Sequence, residues 1–353
     1  MAQLFYDPVR LVEMEIIRHI EDLGPALQGG VAALGNFDGF HRGHQVVVGE
    51  AGRIARSENR PFLVVMTEPH PRAFFNPSGE AFRLTPFRER LNLLENFGID
   101  GAIILPFNKD LSSLSPGEFS GDILKKGLKI SHALVGYDYR FGKGRAGDAK
   151  SLGDLGIEVG FGTTVIPQIH FGVEGAAGQA YSSTLVRDSL KEGKPRQAAA
   201  LLGHWWTVNG PIVDGEKRGR RIGFPTANIE FHDSIVPRHG VYAVRARVEG
   251  AGDELIEGVA NIGVRPTFGG EKVLLEAHLF NFKGDHYGRH IRLHFIAGIR
   301  PEKKFDSLEA LKAQISRDCE TAKELLSDPE NAHDHLQLPT LDAYLKSHPK
   351  PPF

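Results

Sequence analysis

Short apolar runs recur along the first half of the chain, at residues 31–34, 62–66, 102–105, 133–135 and 164–166, separated by stretches of polar and helical character. They are rich in Val, Ile, Leu and Ala and do not alternate with polar residues, which predicts strands buried on both faces of a parallel sheet. Helices are predicted over 45–56, 87–97, 116–125, 150–155 and 182–192, giving a βαβ arrangement in which ligands collect at the carboxyl ends of the strands. Past Gly193-Lys194-Pro195 the runs alternate instead, over 241–248, 274–282 and 290–295. That is the pattern of an antiparallel sheet with one wet face, and Glu249-Gly250-Ala251-Gly252-Asp253 supplies a hairpin turn. A small barrel removes the sheet edges and is the expected closure. Asp306 and Glu309 have capping-box spacing at the start of a helix that continues through Leu311, Ile315, Cys319 and Leu325. Beyond Ser327 the polar, Pro-rich sequence has no clear period, and order is expected in part at most.

Composition narrows the class. A chain of 353 residues exceeds what one core usually covers, so two domains are expected. Lys and Arg total 42 against 44 Asp and Glu, and this lack of a basic excess argues against a nucleic-acid partner. Cys319 is the single cysteine, which excludes an intramolecular disulfide, a thiolate zinc site and a dithiol redox pair, and fits a reducing cytoplasm. No signal-peptide core and no run of about 18 apolar residues is present, so a soluble protein without a membrane partner is expected.

Chemistry concentrates in two places. Gly35-Asn36-Phe37-Asp38-Gly39-Phe40-His41-Arg42-Gly43-His44 follows a strand and opens a helix, where backbone N–H groups and the positive helix end face an anion. Gly43 permits close backbone approach, and His41 and His44 can donate to phosphate oxygens; from spacing alone, helix capping or metal binding is as good an account. Asn36 and Asp38 could equally be turn formers. Ser182, Ser183 and Thr184 begin a helix with Arg187 one turn on, an anion-binding arrangement that is also ordinary N-capping. Glu68-Pro69-His70-Pro71 and the segment from Tyr137 to Arg145, with Asp138, Arg140 and Arg145, end two further strands. The aromatics Tyr137, Tyr139 and Phe141 could stack on a flat ring or simply pack.

In the second half, a basic glycine loop containing Gly219, Arg220 and Gly223 leads into Phe224-Pro225-Thr226-Ala227-Asn228. Its amides and guanidinium groups suit a triphosphate. Thr226 and Asn228 offer hard oxygens of the kind Mg²⁺ accepts beside phosphate, although loop and Asx-turn roles explain them too. Glu276 lies on an alternating strand, where a carboxylate could take a proton from a hydroxyl but most often just faces solvent.

Residues 41–44 match the His-x-Gly-His signature of the nucleotidyltransferase superfamily, and 182–187 its Ser-Ser-Thr-x-x-Arg form. With Glu68 to Pro71 and Asp138 to Gly142, the first half resembles the adenylyltransferase module of bacterial FAD synthetase. Residues 219–228, Asn261 to Phe268, Glu276 and Asp285-His286-Tyr287-Gly288 resemble riboflavin kinase. Over about residues 15–325 the chain is similar to the bacterial bifunctional family in which both modules occur in this order.

The resemblance implies an α/β nucleotidyltransferase domain with a Rossmann-like parallel sheet at 15–190, a linker at 191–200, an antiparallel β-barrel riboflavin kinase domain with a C-terminal helix at 201–326, and a tail at 327–353. It implies ATP, riboflavin and FMN as substrates, FMN and FAD as products, and Mg²⁺ as cofactor. Glu276 becomes the kinase base, Thr226 and Asn228 the metal ligands, and Gly219, Arg220, Gly223 and Pro225 the rest of the kinase ATP site. His41 and His44 become the adenylyl-transfer pair, Gly35, Asn36, Phe37, Asp38, Gly43, Ser182, Ser183, Thr184 and Arg187 the second ATP site, and His70, Asp138, Arg140 and Arg145 flavin contacts. Arg42, Phe40, Ile222 and Asp214 depart from the usual Leu, Val, Leu and His without removing a chemical group. One inactive module, or a non-catalytic flavin sensor or carrier, remains the alternative, and sequence leaves the oligomeric state open.

Overall fold

The computed structural model describes residues 13–171, 178–214, 222–231, 233–252, 254–267, 270–282, 287–331 and 338–353. These fall into two compact units. One holds 13–80, 90–182 and Leu338–Phe353; the other holds Ala81–Glu89 and 183–331.

The first unit is built on a parallel sheet of β1 (Glu15–Ile17), β2 (Val31–Leu34), β3 (Phe62–Glu68), β4 (Gly101–Pro106), β5 (His132–Gly136) and β6 (Gly162–Ile166), in the order β1-β4-β3-β2-β5-β6. All four residues of β2 are buried, as its unalternating sequence requires. The chain steps outward from β2 through β3 and β4 on one side and through β5 and β6 on the other. The reversal falls between β2 and β5, the place where sheets of this topology bind ligands at the carboxyl ends of their strands.

Its helices include α1 (Arg42–Ser57), α2 (Pro71–Phe75), α3 (Phe87–Phe97), of which Arg90 onward belongs to this unit, and α4 (Ala149–Val159). The helix expected over 116–125 is a short α-helical turn, Pro116–Glu118, continued as a π-helix over Phe119–Gly127. Helix α4 starts at a reciprocal capping box of Asp148 and Ser151 and runs four residues past the expected end at 155. It ends at Gly160, whose φ of 90° is the left-handed cap that glycine favours. Strand β1 was not expected: it is three residues long, and two of them are exposed, so it leaves no apolar run.

The second unit begins with α5 (Ser183–Lys191) and α6 (Pro195–Leu202) and continues with an antiparallel sheet of β7 (Thr207–Pro211), β8 (Ala227–Ile229), β9 (Gly240–Val248), β10 (Ile256–Thr267), β11 (Gly270–Leu279) and β12 (His290–Pro301). The order is β7-β12-β9-β10-β11-β8. Val213, just past β7, bridges to Asn228 of β8 and donates to its carbonyl at 2.9 Å, which brings the two edges together into a nearly closed barrel. Helix α7 (Leu308–Ser327) packs Cys319, Ala322 and Leu326 with Val241, Ala243, Val259 and Ile296 of the strands. Its cap is Ser307 rather than Asp306: the Ser307 hydroxyl accepts from the Ala310 N–H at 3.1 Å. Burial pushes the Cys319 thiol up to about 11, so it serves packing.

Part of the tail is ordered. Residues Leu341–Ser347 form a helix, α8, capped by Thr340 and packed within the first unit with Leu341 and Tyr344 buried. A seven-residue helix spans about two turns, too short to register as a period among prolines. Among the described residues no helix is long and apolar enough to cross a membrane.

Candidate functional sites

In the first unit, the turn after β2 folds back sharply. Phe37, Gly39 and Phe40 take φ values of 49°, 83° and 44°, and the Phe37 and Phe40 rings are buried, which anchors a left-handed backbone that Phe rarely adopts. This turn delivers His41 as the N-cap of α1. The His41 Nδ1 accepts from the His44 N–H at 3.3 Å, so in the neutral ring the proton sits on Nε2. The two imidazoles stack at 3.6 Å between centroids and 19° between planes, and Phe37 meets His44 edge-on at 5.3 Å. A Cβ on Gly43 would lie 3.2 Å from the His41 ring and 3.2 Å from Tyr181 Cβ, so the close packing of the pair depends on glycine. Capping and pairing are thus both true of His41.

Asn36 has a structural task. Its Oδ1 accepts from the Thr67 N–H at 3.1 Å and the Thr67 hydroxyl at 3.0 Å, at the end of β3. Only its Nδ2 is then available to a nucleotide. Asp38 is buried. Strands β3 and β5 flank β2, in register at Leu34 with Val65 and at Ala33 with Leu134, so the loops bearing residues 35–41, 68–71 and 136–145 leave one rim of the sheet. His70 caps α2 by accepting from the Arg72 N–H at 3.1 Å. Asp138, Arg140 and Arg145 are exposed on their loop. Of the aromatics there, Tyr139 and Phe141 stack at 5.7 Å as part of the core, and burial raises the Tyr139 hydroxyl's pKa; Tyr137 stays about half exposed.

Arg90 went unnoticed in the sequence. Its side chain is fully buried, donating from Nη1 to the Asn36 carbonyl at 3.0 Å and from Nη2 to Glu68 Oε2 at 2.9 Å. One guanidinium therefore holds both the glycine-rich turn and the end of β3. A signal existed: Arg90, Leu94 and Phe97 share the inward helical spacing, and a charge at such a position calls for a partner.

Ser182 ends the first unit's share of the Ser-Ser-Thr-x-x-Arg segment. Ser183, Thr184 and Arg187 lie on α5 in the second unit, where Arg187 Nε donates to the Phe82 carbonyl at 2.8 Å.

In the second unit the candidate kinase residues converge. Asn228 on β8 stands directly opposite Glu276 on β11, which on its other side stands opposite Asn261 of β10. Residues opposed in this way share a face of the sheet. Thr226 lies two residues before Asn228, and the twofold period of an extended chain turns it to the same face. A hydroxyl, two amides and a carboxylate thus line one strip. Asn228 is buried and Glu276 half-buried. Gly223 has a φ of 93°, with open space where a Cβ would be, and the Pro225 carbonyl is held by His278 at 2.8 Å. Gly219 and Arg220 lie outside the described residues, as do Phe268, Asp285 and His286. Asn261 is the residue whose position beside Glu276 the sequence did not reveal.

Neither unit shows, among its described residues, a group of three His, Cys, Asp or Glu side chains able to hold a metal. The neutral oxygens of Thr226 and Asn228 beside one carboxylate fit a hard cation that keeps most of its ligands from phosphate and water. Paired imidazoles at a helix start in an α/β unit, and a carboxylate between amides on a small barrel, are arrangements of the kind an ATP-using transferase can employ at phosphate.

Comparison with known proteins specifies the family. A model described as FAD synthetase matches residues 24–180, and one described as riboflavin kinase matches 202–326. The bifunctional riboflavin kinase/FMN adenylyltransferase of Escherichia coli K12 is 41% identical over 312 residues, spanning 88% of this chain and 97% of that protein. The proteins of the same name from Pseudomonas fluorescens and Bacillus subtilis are 39% and 36% identical, spanning 98% and 91% of their lengths. The chain belongs to the bifunctional riboflavin kinase/FMN adenylyltransferase family. A solved structure titled as a macrolide-efflux protein from Streptococcus pneumoniae has the same fold, with a TM-score of 0.78, 28% identity, and coverage of 88% of this chain and 99% of that one. Its title describes that protein and carries no transport role to this chain.

Proposed function

We propose that this chain phosphorylates riboflavin to FMN in the barrel unit and adenylylates FMN to FAD in the α/β unit, using one ATP for each step. The alignment of Glu276 with Asn228, on the face Thr226 shares, is the observation that most supports this reading. In the kinase step Glu276 takes the proton of the ribityl hydroxyl as that oxygen attacks the γ-phosphorus of ATP, with ADP leaving. Thr226 and Asn228 would hold Mg²⁺, which when bound draws charge from the phosphate oxygens. Gly219, Arg220, Gly223 and Pro225 would cradle the triphosphate.

In the second step the FMN phosphate attacks the α-phosphorus of ATP and pyrophosphate leaves, so no protein nucleophile is required. His41 and His44 stabilise the charge that grows at phosphorus, helped by the N-terminus of α1. We assign Gly35, Asn36, Phe37, Asp38, Gly43, Ser182, Ser183, Thr184 and Arg187 to that ATP, with Asn36 acting through Nδ2, and His70, Asp138, Arg140 and Arg145 to the flavin. The substrates are small molecules of the cytoplasm, and no nucleic acid or membrane enters the scheme.

Incubating the protein with riboflavin, ATP and Mg²⁺ and separating the products tests the whole reading. FMN followed by FAD is expected. FMN alone would mean one working module, and no product at all would mean a flavin carrier.

A further inference from the structure

Helix α1 is covered more completely than an outer helix of a parallel sheet needs to be. Residues Gln45 to Gly52 are all buried, so the helix has no wet face over two turns. Strands β2, β3 and β5 cover one side. The other side is covered by α8, from the segment Leu338–Phe353. The seat is shaped for it: a Cβ on Gly49 would lie 2.4 Å from the Tyr344 ring, and one on Gly52 would lie 2.7 Å from Leu341. The Tyr344 hydroxyl donates to Glu50 Oε1 at 2.7 Å, and Glu50, only 3% exposed, also accepts from Arg53 at 3.0 Å. Arg53 in turn donates to the His348 carbonyl. At the rim Arg56 pairs with Asp342 at 2.7 Å.

Two features give this contact a purpose beyond packing. The riboflavin kinase match ends at residue 326, and the Escherichia coli and Pseudomonas fluorescens relatives are spanned over 97% and 98% of their own length while this chain is spanned over 88%. Helix α8 lies past the part that the family model describes. The helix it grips is the one whose cap is His41 and whose first turn carries His44, and Gly49 is five residues further along, about 7.5 Å of helix.

We propose that Leu338–Phe353 is a strap that fixes α1 on its sheet and thereby positions His41 and His44 for adenylyl transfer. The functional half of this rests on the assignment of FAD formation to that pair. Tyr344, Leu341 and Glu50 are positioning residues, acting through α1 without touching nucleotide. A displaced helix misaligns the imidazoles at the transition state more than it weakens binding of ATP, so kcat falls and KM changes little.

The test uses full-length Tyr344→Ala and Leu341→Asp, with Tyr344→Phe as the milder variant in case either folds poorly. FAD formation from added FMN and ATP should lose about tenfold in kcat with KM for ATP nearly unchanged, riboflavin phosphorylation should be unchanged, and the phenylalanine variant should fall between. Amide hydrogen exchange over 46–52 should accelerate in step. Gly49→Ala supplies a test of sign. In the wild-type chain its methyl group drives Tyr344 off and lowers the melting midpoint, whereas in the Tyr344→Ala background it merely replaces a helix glycine and raises it. Unchanged exchange over α1, or the same sign for Gly49→Ala in both backgrounds, overturns the strap. Faster exchange with undiminished kcat overturns its positioning role. A wild-type protein that makes no FAD refutes the functional assignment, while exchange and the Gly49 sign still judge the strap.

Discussion

Replacing Arg90 with methionine keeps an unbranched apolar stem and removes the guanidinium with its charge and hydrogen bonds. Its Nη1 holds the Asn36 carbonyl at 3.0 Å and its Nη2 holds Glu68 at 2.9 Å, with the arginine fully buried and the Glu68 side chain 23% exposed. A hydrogen bond from a charged donor contributes about 1.5–3 kcal/mol, and stripping one partner from a buried ion pair costs about 3–5 kcal/mol. Glu68 can recover part of its hydration, so we take the lower end, about 2–3 kcal/mol. For a unit of this size that corresponds to a fall of roughly 5–10 °C in the melting midpoint followed by circular dichroism. The turn that carries His41 loses its tie to β3, so FAD formation should fall by at least tenfold even below the midpoint, about 1.4 kcal/mol of lost transition-state stabilisation. Arg90→Lys, which keeps the charge but can reach only one acceptor at a time, should recover part of both losses. A midpoint within about 1 °C of wild type together with full FAD formation would refute the claim that this guanidinium organises the turn.

Three further outcomes follow from the geometry. Gly43→Ala should leave stability nearly unchanged, because alanine favours the helix, yet lower FAD formation by about tenfold as the methyl displaces the His41 ring; steady-state kinetics checks it. His294 is pushed down to about 3 by burial, aided by Arg292, Arg247, His204 and Arg245, so below about pH 6.5 the unfolded chain binds a proton that the folded barrel refuses. Stability of that unit is therefore whole above pH 6.5 and drains as pH falls toward 3, by about 2 kcal/mol between pH 6.5 and 5, and urea titrations of wild type and His294→Gln should show the slope flattening in the variant. Asn228→Ala should raise the Mg²⁺ concentration needed for half-maximal riboflavin phosphorylation, measured by magnesium titration.

Continuity of apolar runs was enough to read the parallel sheet, because burial on both faces writes directly into residues such as those of β2, and three barrel strands were legible. The one wet face expected over 241–248 is not seen, since β9 is buried at every position but Arg247. Strands β1, β7 and β8 are too short or too polar to leave that trace, and β10, whose run from Ile256 to Thr267 is interrupted by Gly258, Gly263 and Pro266, was not anticipated either. The residues proposed to face phosphate carry local signatures that single them out in the sequence. What the sequence hid is long-range: Arg90 meeting Asn36 from 54 positions away, Asn261 beside Glu276, and Tyr344 meeting Glu50 from 294 positions away. Such pairs depend on tertiary placement, and no local period encodes them. The cap at Ser307 instead of Asp306 is a smaller case, since adjacent residues both favour the position and backbone geometry chooses.

The central claim is that two separate sets of residues act on two phosphorus atoms, and one pair of variants tests it directly. Chromatography of products should show that Glu276→Gln loses about 10²-fold or more of FMN formation while still converting added FMN to FAD, and that His44→Ala does the reverse. Equal loss of both reactions in either folded variant, or retention of FMN formation in Glu276→Gln, would contradict the account.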